Sequence, residues 1–331
     1  MTPSLFTCAS GPQIAEIDIA TGWGNTTAAR AVLERHWDTF INQSDFEYLA
    51  SIGINTVRLP IGYWSLGPVY CQGTPFEPVA DVYTNSWSRV LRAINWAGEA
   101  GVGVLVDLHG APGSQNGQAH SGISDGQVNF FNDTNMDLTI NVLTFLTEQF
   151  ATVTNVIGIE ILNEPNDDST LPDFCTLGNS LLLCCIDLIR SDTRAITTMR
   201  QVSPEAVSLP IYIHDAFNLN QFSDFVAKRT DFVVEDHHSY FVFTAQDAAR
   251  NASQDTVEVQ SDVSSELATA SQNQRGNLIV GEWSCAMEPS SLNNYTNPLA
   301  IRQQFCQGQE QVYANTTAGW HFWSEMLLTT N

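Results

Sequence analysis

Seven short runs rich in apolar residues, β-branched or aromatic, recur along the chain, with amphipathic stretches at helical spacing between them, and that alternation limits the possible folds most. The runs are Asn55–Ile61, Gly103–His109, Val156–Asn163, Pro210–Asp215, Phe232–His238, Leu278–Trp283 and Gly319–Trp323. Between them lie helical windows at Ser86–Ala100, Met136–Phe150, Asn179–Met199, Val259–Ser271 and Ala300–Tyr313. Near-continuous apolar strands are what a parallel sheet covered on both faces requires. Strand and helix in regular alternation therefore predict an α/β fold of the (β/α)8 TIM-barrel type, with about seven of its eight strands in this chain. There is no internal repeat, charge run or low-complexity linker, so residues 1–331 are expected to form a single domain.

Charge narrows the partners. The chain has 331 residues with 13 Lys+Arg against 36 Asp+Glu, a formal charge of −23. Nucleic-acid binding rests on basic side chains neutralising phosphates, so this balance argues against it, and against anionic membranes too. No apolar run approaches the ~18 residues of a membrane span. The first residues, MTPSLF, carry neither a basic region nor an apolar core, so no signal peptide is expected in the chain as given. The cysteines at 8, 71, 175, 184, 185, 285 and 306 lack paired C-x-x-C spacing, which argues against a zinc site and leaves bridge pairing open. Cys285 reads as a buried structural thiol. Sequons at Asn25, Asn42, Asn132, Asn251, Asn294 and Asn315 support secretion only weakly, because Asn, Ser and Thr are abundant.

Polar residues gather at the C-terminal ends of the strands, where barrel enzymes build their sites: Arg58, Asp107, His109, Asn163, Glu164, His214, Asp215, His237, His238, Tyr240, Glu282 and Trp323. Burying one unpaired carboxylate there is costly, so its repetition asks for a chemical reason. Glu164 in ILNEP and Glu282 in VGEWS stand at two strand ends about three βα units apart. Two carboxylates, one protonated and one ionised, are the apparatus of glycoside hydrolysis. Asn163 suits a sugar 2-hydroxyl, and Trp323 offers a flat face for a pyranose ring. His238 and Tyr240 are placed to reach Glu282, and Arg58 to orient it and keep it ionised. Two other classes stay in view. One is a glucan-binding protein without turnover; the other is a metal-dependent hydrolase using His109, His214, His237 and His238, which lacks H-x-H or H-E-x-x-H spacing.

The segments NTVRLPIGYWSL (55–66), DLHGAPGSQNG (107–117), GIEILNEP (158–165), HHSYFVF (237–243) and GEWS (281–284) resemble glycoside hydrolase family 5, most closely its fungal exo-β-1,3-glucanase branch. The resemblance runs in order from Thr2 to Trp323. It implies a (β/α)8 barrel and retaining release of glucose from the non-reducing end of β-1,3-glucan, with Glu164 as acid/base and Glu282 as nucleophile. Arg58, His109, Asn163, His238, Tyr240 and Trp323 fall on positions lining the site in that family, and Phe243 on an aromatic at the cleft entrance. No metal or other cofactor is implied. The expected partner is a β-glucan met by a monomer, outside the cell or in its wall. The chain departs from the family in three places. It begins after the position of the first barrel strand, it ends before the closing segment, and Gln118 stands where members often carry an aromatic.

Overall fold

The computed structural model describes residues 3–166, 186–293 and 295–324. It divides into two compact units, Met1–Ile211 and Tyr212–Asn331. The strands are β1 (Thr56–Gly62), β2 (Gly103–Gly110), β3 (Val156–Glu160), β4 (Ile211–His214), β5 (Val233–Ser239), β6 (Leu278–Trp283) and β7 (Trp320–Phe322). Every run singled out in the sequence overlaps one of them.

In the first unit β1, β2 and β3 pair in parallel, and Ile159 N bonds onward to Pro210 O. Their interior is apolar: Val104, Leu105, Val106, Leu108 and Ile159 are buried. The register aligns Pro60 with Asp107 and Asp107 with Glu160, so two carboxylates stand side by side on neighbouring strands. Helices Ser86–Glu99 and Asp133–Phe150 connect these strands. The sequence placed both but missed the earlier helices Thr26–Thr39 and Gln43–Ser51. Trp64 fills a slot that only glycines permit. A Cβ on Gly62, Gly110 or Gly122 would come within 2.1, 2.6 or 2.2 Å of its ring, and Phe76 stacks on Trp64 at 4.4 Å.

In the second unit Asp215 N bonds to Asp236 O, and β5, β6 and β7 pair in parallel. The register slips between His237 and His238, so that His238 lies level with Glu282 and not with Gly281. This β-bulge re-aims a side chain, a common use of such irregularities. Gly281 is the extra residue. Its N–H donates to Asp236 Oδ1 at 2.6 Å, and a Cβ there would sit 1.9 Å from the same carboxylate. Around these strands Val259, Leu267, Val280, Trp283, Phe305 and Tyr313 form an apolar core. The window Val259–Ser271 is a π-helical turn, Val259–Val263, running into the α-helix Ser264–Asn273.

One sequence reading changes here. Cys285 is not a lone thiol: it is bridged to Cys306 of the helix Pro298–Thr316, with a Cα separation of 4.9 Å. Spacing alone does not encode which cysteines meet. Among the sequons, Asn25, Asn42, Asn132 and Asn251 cap helices, their side chains accepting from Ala28, Ser44, Asn135 and Gln254 N–H respectively. Cap chemistry favours Asn at these positions whatever their glycosylation. Asn294, Cys175, Cys184, Cys185, the segment from 325 onward and the first part of the Asn179–Met199 window lie outside the described residues. No described helix is long and apolar enough to cross a membrane.

Candidate active site

Except for Arg58 and Asp107, which lie within β1 and β2, sequence-predicted site residues lie at or just past strand ends in each unit. In the first, β1 presents Arg58, β2 presents Asp107 and His109, and β3 leads into Asn163 and Glu164. Arg58 is almost fully buried and donates through Nε to Glu160 Oε2 at 2.7 Å and through Nη2 to Asn163 Oδ1 at 2.8 Å. The same Nη2 lies 3.1 Å from Asp107 Oδ2. His109 Nδ1 meets Asp107 Oδ2 at 2.7 Å, a contact that fixes the ring. Burial pushes the Asp107 and Glu160 carboxyls up to about 7, with Arg58 opposing the rise in both. One guanidinium thus faces two carboxyl groups that are reluctant to ionise together.

Beyond β3 the chain turns sharply. Glu164 adopts φ of 40°, uncommon for a residue with a side chain, and Pro165 follows it. The DLHGAPGSQNG loop holds that turn. Gln115 Nε2 donates to the Asn163 and His109 carbonyls at 2.9 and 2.8 Å, while Asn116 Nδ2 donates to the Glu164 carbonyl at 2.9 Å. Two amides from one loop therefore fix the backbone that carries the carboxyl. Glu164 remains partly accessible, its side chain 20% exposed. His120 Nε2 stands 3.5 Å from Glu164 Oε2, and its Nδ1 lies 3.4 Å from Asn163 Nδ2. Burial, with His109 beside it, lowers the His120 pKa and favours the neutral ring.

In the second unit Glu282 is buried at the end of β6. Tyr240 Oη donates to Glu282 Oε2 at 2.9 Å, and His238 Nδ1 lies 3.6 Å from the same oxygen. The bulge at Gly281 makes the second approach. The His214 ring packs edge-on against His238 at 4.4 Å, and its Nδ1 accepts from Ala216 N, which leaves the proton of the neutral ring on Nε2. His237 belongs to a different pair: its Nδ1 meets Asp215 Oδ2 at 2.6 Å. Burial alone would lower the His237 pKa, but Asp215 outweighs it and raises it; His237 in turn holds Asp215 low. Phe243 is 78% exposed and meets Tyr240 edge-on. Trp323 is partly open, and its backbone N–H donates to the Trp283 carbonyl at 2.8 Å.

The first unit thus brings together Arg58, His109, Asn163 and Glu164, and the second His238, Tyr240, Phe243, Glu282 and Trp323. Arg58 donates to Glu160 and Asn163, and Tyr240 donates to Glu282. Sequence reasoning passed over Glu160, His120, Gln115 and Asn116. Glu160 had a signal, since a carboxylate inside the apolar run VIGIEILN needs a buried cation.

Comparison with known proteins follows these features. Residues 19–325 match the profile of the cellulase family, glycosyl hydrolase family 5. The chain is 32% identical over 304 residues to glucan 1,3-beta-glucosidase 3 of Schizosaccharomyces pombe, covering 91% of this chain and 60% of that protein. It is 29% identical over 335 residues to a probable glucan 1,3-beta-glucosidase A of Aspergillus fumigatus, covering 96% and 70%. Against the S. pombe protein and three yeast relatives it spans about 53–62% of their length. Among solved structures, rutinosidase from Aspergillus niger superposes with a TM-score of 0.75 at 19% identity, over 97% of this chain and 82% of that one. At that identity the likeness speaks for the fold, the (β/α)8 barrel class that the strand–helix alternation predicts. Motifs, fold and profile agree, and the chain belongs to the cellulase family, glycosyl hydrolase family 5.

Proposed function

We propose that the chain is a retaining exo-hydrolase of β-1,3-glucans, with Glu164 as acid/base and Glu282 as nucleophile. The observation that carries this reading is the setting of Glu282: a buried carboxylate at a strand end, taking a hydrogen bond from Tyr240 with His238 beside it. Charge-assisted bonds of this kind favour the ionised form and orient the attacking oxygen.

In the first step Glu282 attacks the anomeric carbon of the terminal glucosyl unit while Glu164 gives its proton to the departing glycosidic oxygen. The bond from carbon to that oxygen breaks, and a glucosyl ester on Glu282 forms. In the second, Glu164 as carboxylate takes a proton from water, whose oxygen attacks the same carbon and releases Glu282. Two inversions retain the β configuration. Asn163 bonds the 2-hydroxyl, Arg58 and His109 shape the pocket beside it, and Trp323 and Phe243 offer apolar faces to sugar rings. The names of the relatives support β-1,3-glucan as substrate. A monomer acting outside the cell or at its wall fits that substrate.

Glu282→Gln and Glu164→Gln test the assignment on a linear β-1,3-gluco-oligosaccharide. Each is expected to lower hydrolysis by at least about 10³-fold with the fold intact. Wild-type turnover by either variant would remove that residue from its role. Capture of glucan by the wild-type chain without sugar release would replace hydrolysis by binding.

A further inference from the structure

Glu160 has no place in the two-carboxylate mechanism, yet its surroundings are specific. It is fully buried beside its register partner Asp107, and its Oε2 takes the Nε of Arg58 at 2.7 Å. Its other oxygen has no hydrogen-bond partner among the described residues. A guanidinium is planar, so anchoring Nε fixes the direction in which Nη2 points. Nη2 points at Asn163 Oδ1, 2.8 Å away. With its oxygen engaged, the Asn163 amide presents Nδ2 on its other side, where His120 Nδ1 stands at 3.4 Å.

Asp107 cannot replace Glu160 in this role, because its Oδ2 is shared between Arg58 and His109. Burial pushes Glu160 up to about 7 against the pull of Arg58, so its retention is costly. An apolar side chain would fill the strand position more cheaply and remove the anchor on Arg58 Nε.

We propose that Glu160 is a positioning residue for sugar recognition: through Arg58 it locks the Asn163 amide with its NH2, and not its carbonyl oxygen, offered to the 2-hydroxyl of the bound glucosyl unit. The inference rests on the hydrolase reading above and adds a residue to it. Loss of Glu160 leaves both catalytic carboxyls in place but frees the amide to flip, so the cost falls on the 2-hydroxyl contact alone.

The test compares an aryl β-glucoside with its 2-deoxy analogue. Glu160→Ala is expected to lower kcat on the glucoside about tenfold with KM within about twofold, and to change the 2-deoxy substrate by no more than about twofold. Adding Asn163→Ala should cost no more than Asn163→Ala alone, because the two act in series. Glu160→Gln keeps an oxygen for Arg58 Nε and should recover most of the loss. Arg58→Lys keeps the charge, loses the fork, and should forfeit the same 2-hydroxyl preference. Equal losses on both substrates, or multiplying losses in the double variant, would overturn the proposal. The side-chain amide NMR signals of Asn163 in the ligand-free chain give a readout independent of turnover. They should move in Arg58→Lys and Glu160→Ala and stay close to wild type in Glu160→Gln. A wild-type chain inert toward both substrates would defeat the hydrolase reading, and these signals would still decide the Glu160 linkage. Unmoved signals overturn it.

Discussion

The Tyr240 hydroxyl donates a 2.9 Å hydrogen bond to Oε2 of Glu282, the oxygen that His238 also faces. A hydrogen bond to a charged group contributes about 1.5–3 kcal/mol, which converts to roughly 10–100-fold in rate if it is made to the reacting carboxylate. Tyr240→Phe should therefore lower kcat/KM on a β-glucoside by that factor while the melting temperature changes by only a few degrees. Unaltered turnover would show that Tyr240 does not steer the nucleophile.

The bulge at Gly281 gives a stability prediction. Gly281 carries only a hydrogen where an added Cβ would meet the Asp236 carboxylate at 1.9 Å. Gly281→Ala is expected to cost about 3 kcal/mol or more, in the range of severe overpacking. It should also displace His238 from Glu282. Denaturant melts of the two proteins check this, and a shift below about 0.5 kcal/mol would mean that the carboxylate moves aside freely.

Glu235 sets a pH dependence. Burial, helped by the Asp215 charge, pushes its carboxyl up to about 9, against the opposing Gln274 hydrogen bond. In the unfolded chain an ordinary Glu titrates near about 4.3. The folded protein therefore holds a proton that the unfolded chain releases. The resulting stability is fully present below about 4.3 and is lost as pH rises through about 9. Glu235→Gln stays neutral throughout, so its melting temperature relative to wild type should climb steadily from pH 5 to pH 9. Parallel melting curves would show that Glu235 is ionised when folded.

The Cys285–Cys306 bridge closes a loop across a sequence separation of 21. Cross-links of that span contribute about 3 kcal/mol, chiefly by restricting the unfolded chain. Cys306→Ala should lower the denaturation midpoint accordingly, and reductant should lower wild type by more than the variant. A variant as stable as wild type would show that the helix Pro298–Thr316 is held by its packing alone.

Much of this architecture was legible because parallel strands announce themselves as unbroken apolar runs. Leu278–Trp283 matches β6 at both ends, and the other six runs differ from their strands by a few residues. The largest difference is at β3, where Ile161, Leu162 and Asn163 extend the apolar pattern although the backbone has begun its turn toward Glu164. That turn is fixed by Gln115 and Asn116, about fifty residues earlier, so no local pattern contains it. The placement of Glu282 near the end of β6 and of Glu164 in the turn after β3 was legible; the groups around them were less so. Glu160 reads as a lone charge until the register places Asp107 beside it and Arg58 over both. His120 lies on a loop without periodicity, and the His238–Glu282 approach depends on a one-residue bulge that composition does not encode.

The account turns on double displacement by Glu164 and Glu282. Proton NMR of the purified chain with a linear β-1,3-gluco-oligosaccharide, following the anomeric signals of the earliest product, tests that directly. It should show β-glucose released one unit at a time, with α-glucose appearing only at the slower rate of mutarotation, and no release by Glu282→Gln. α-Glucose as the first product, or release that persists in Glu282→Gln, would contradict it.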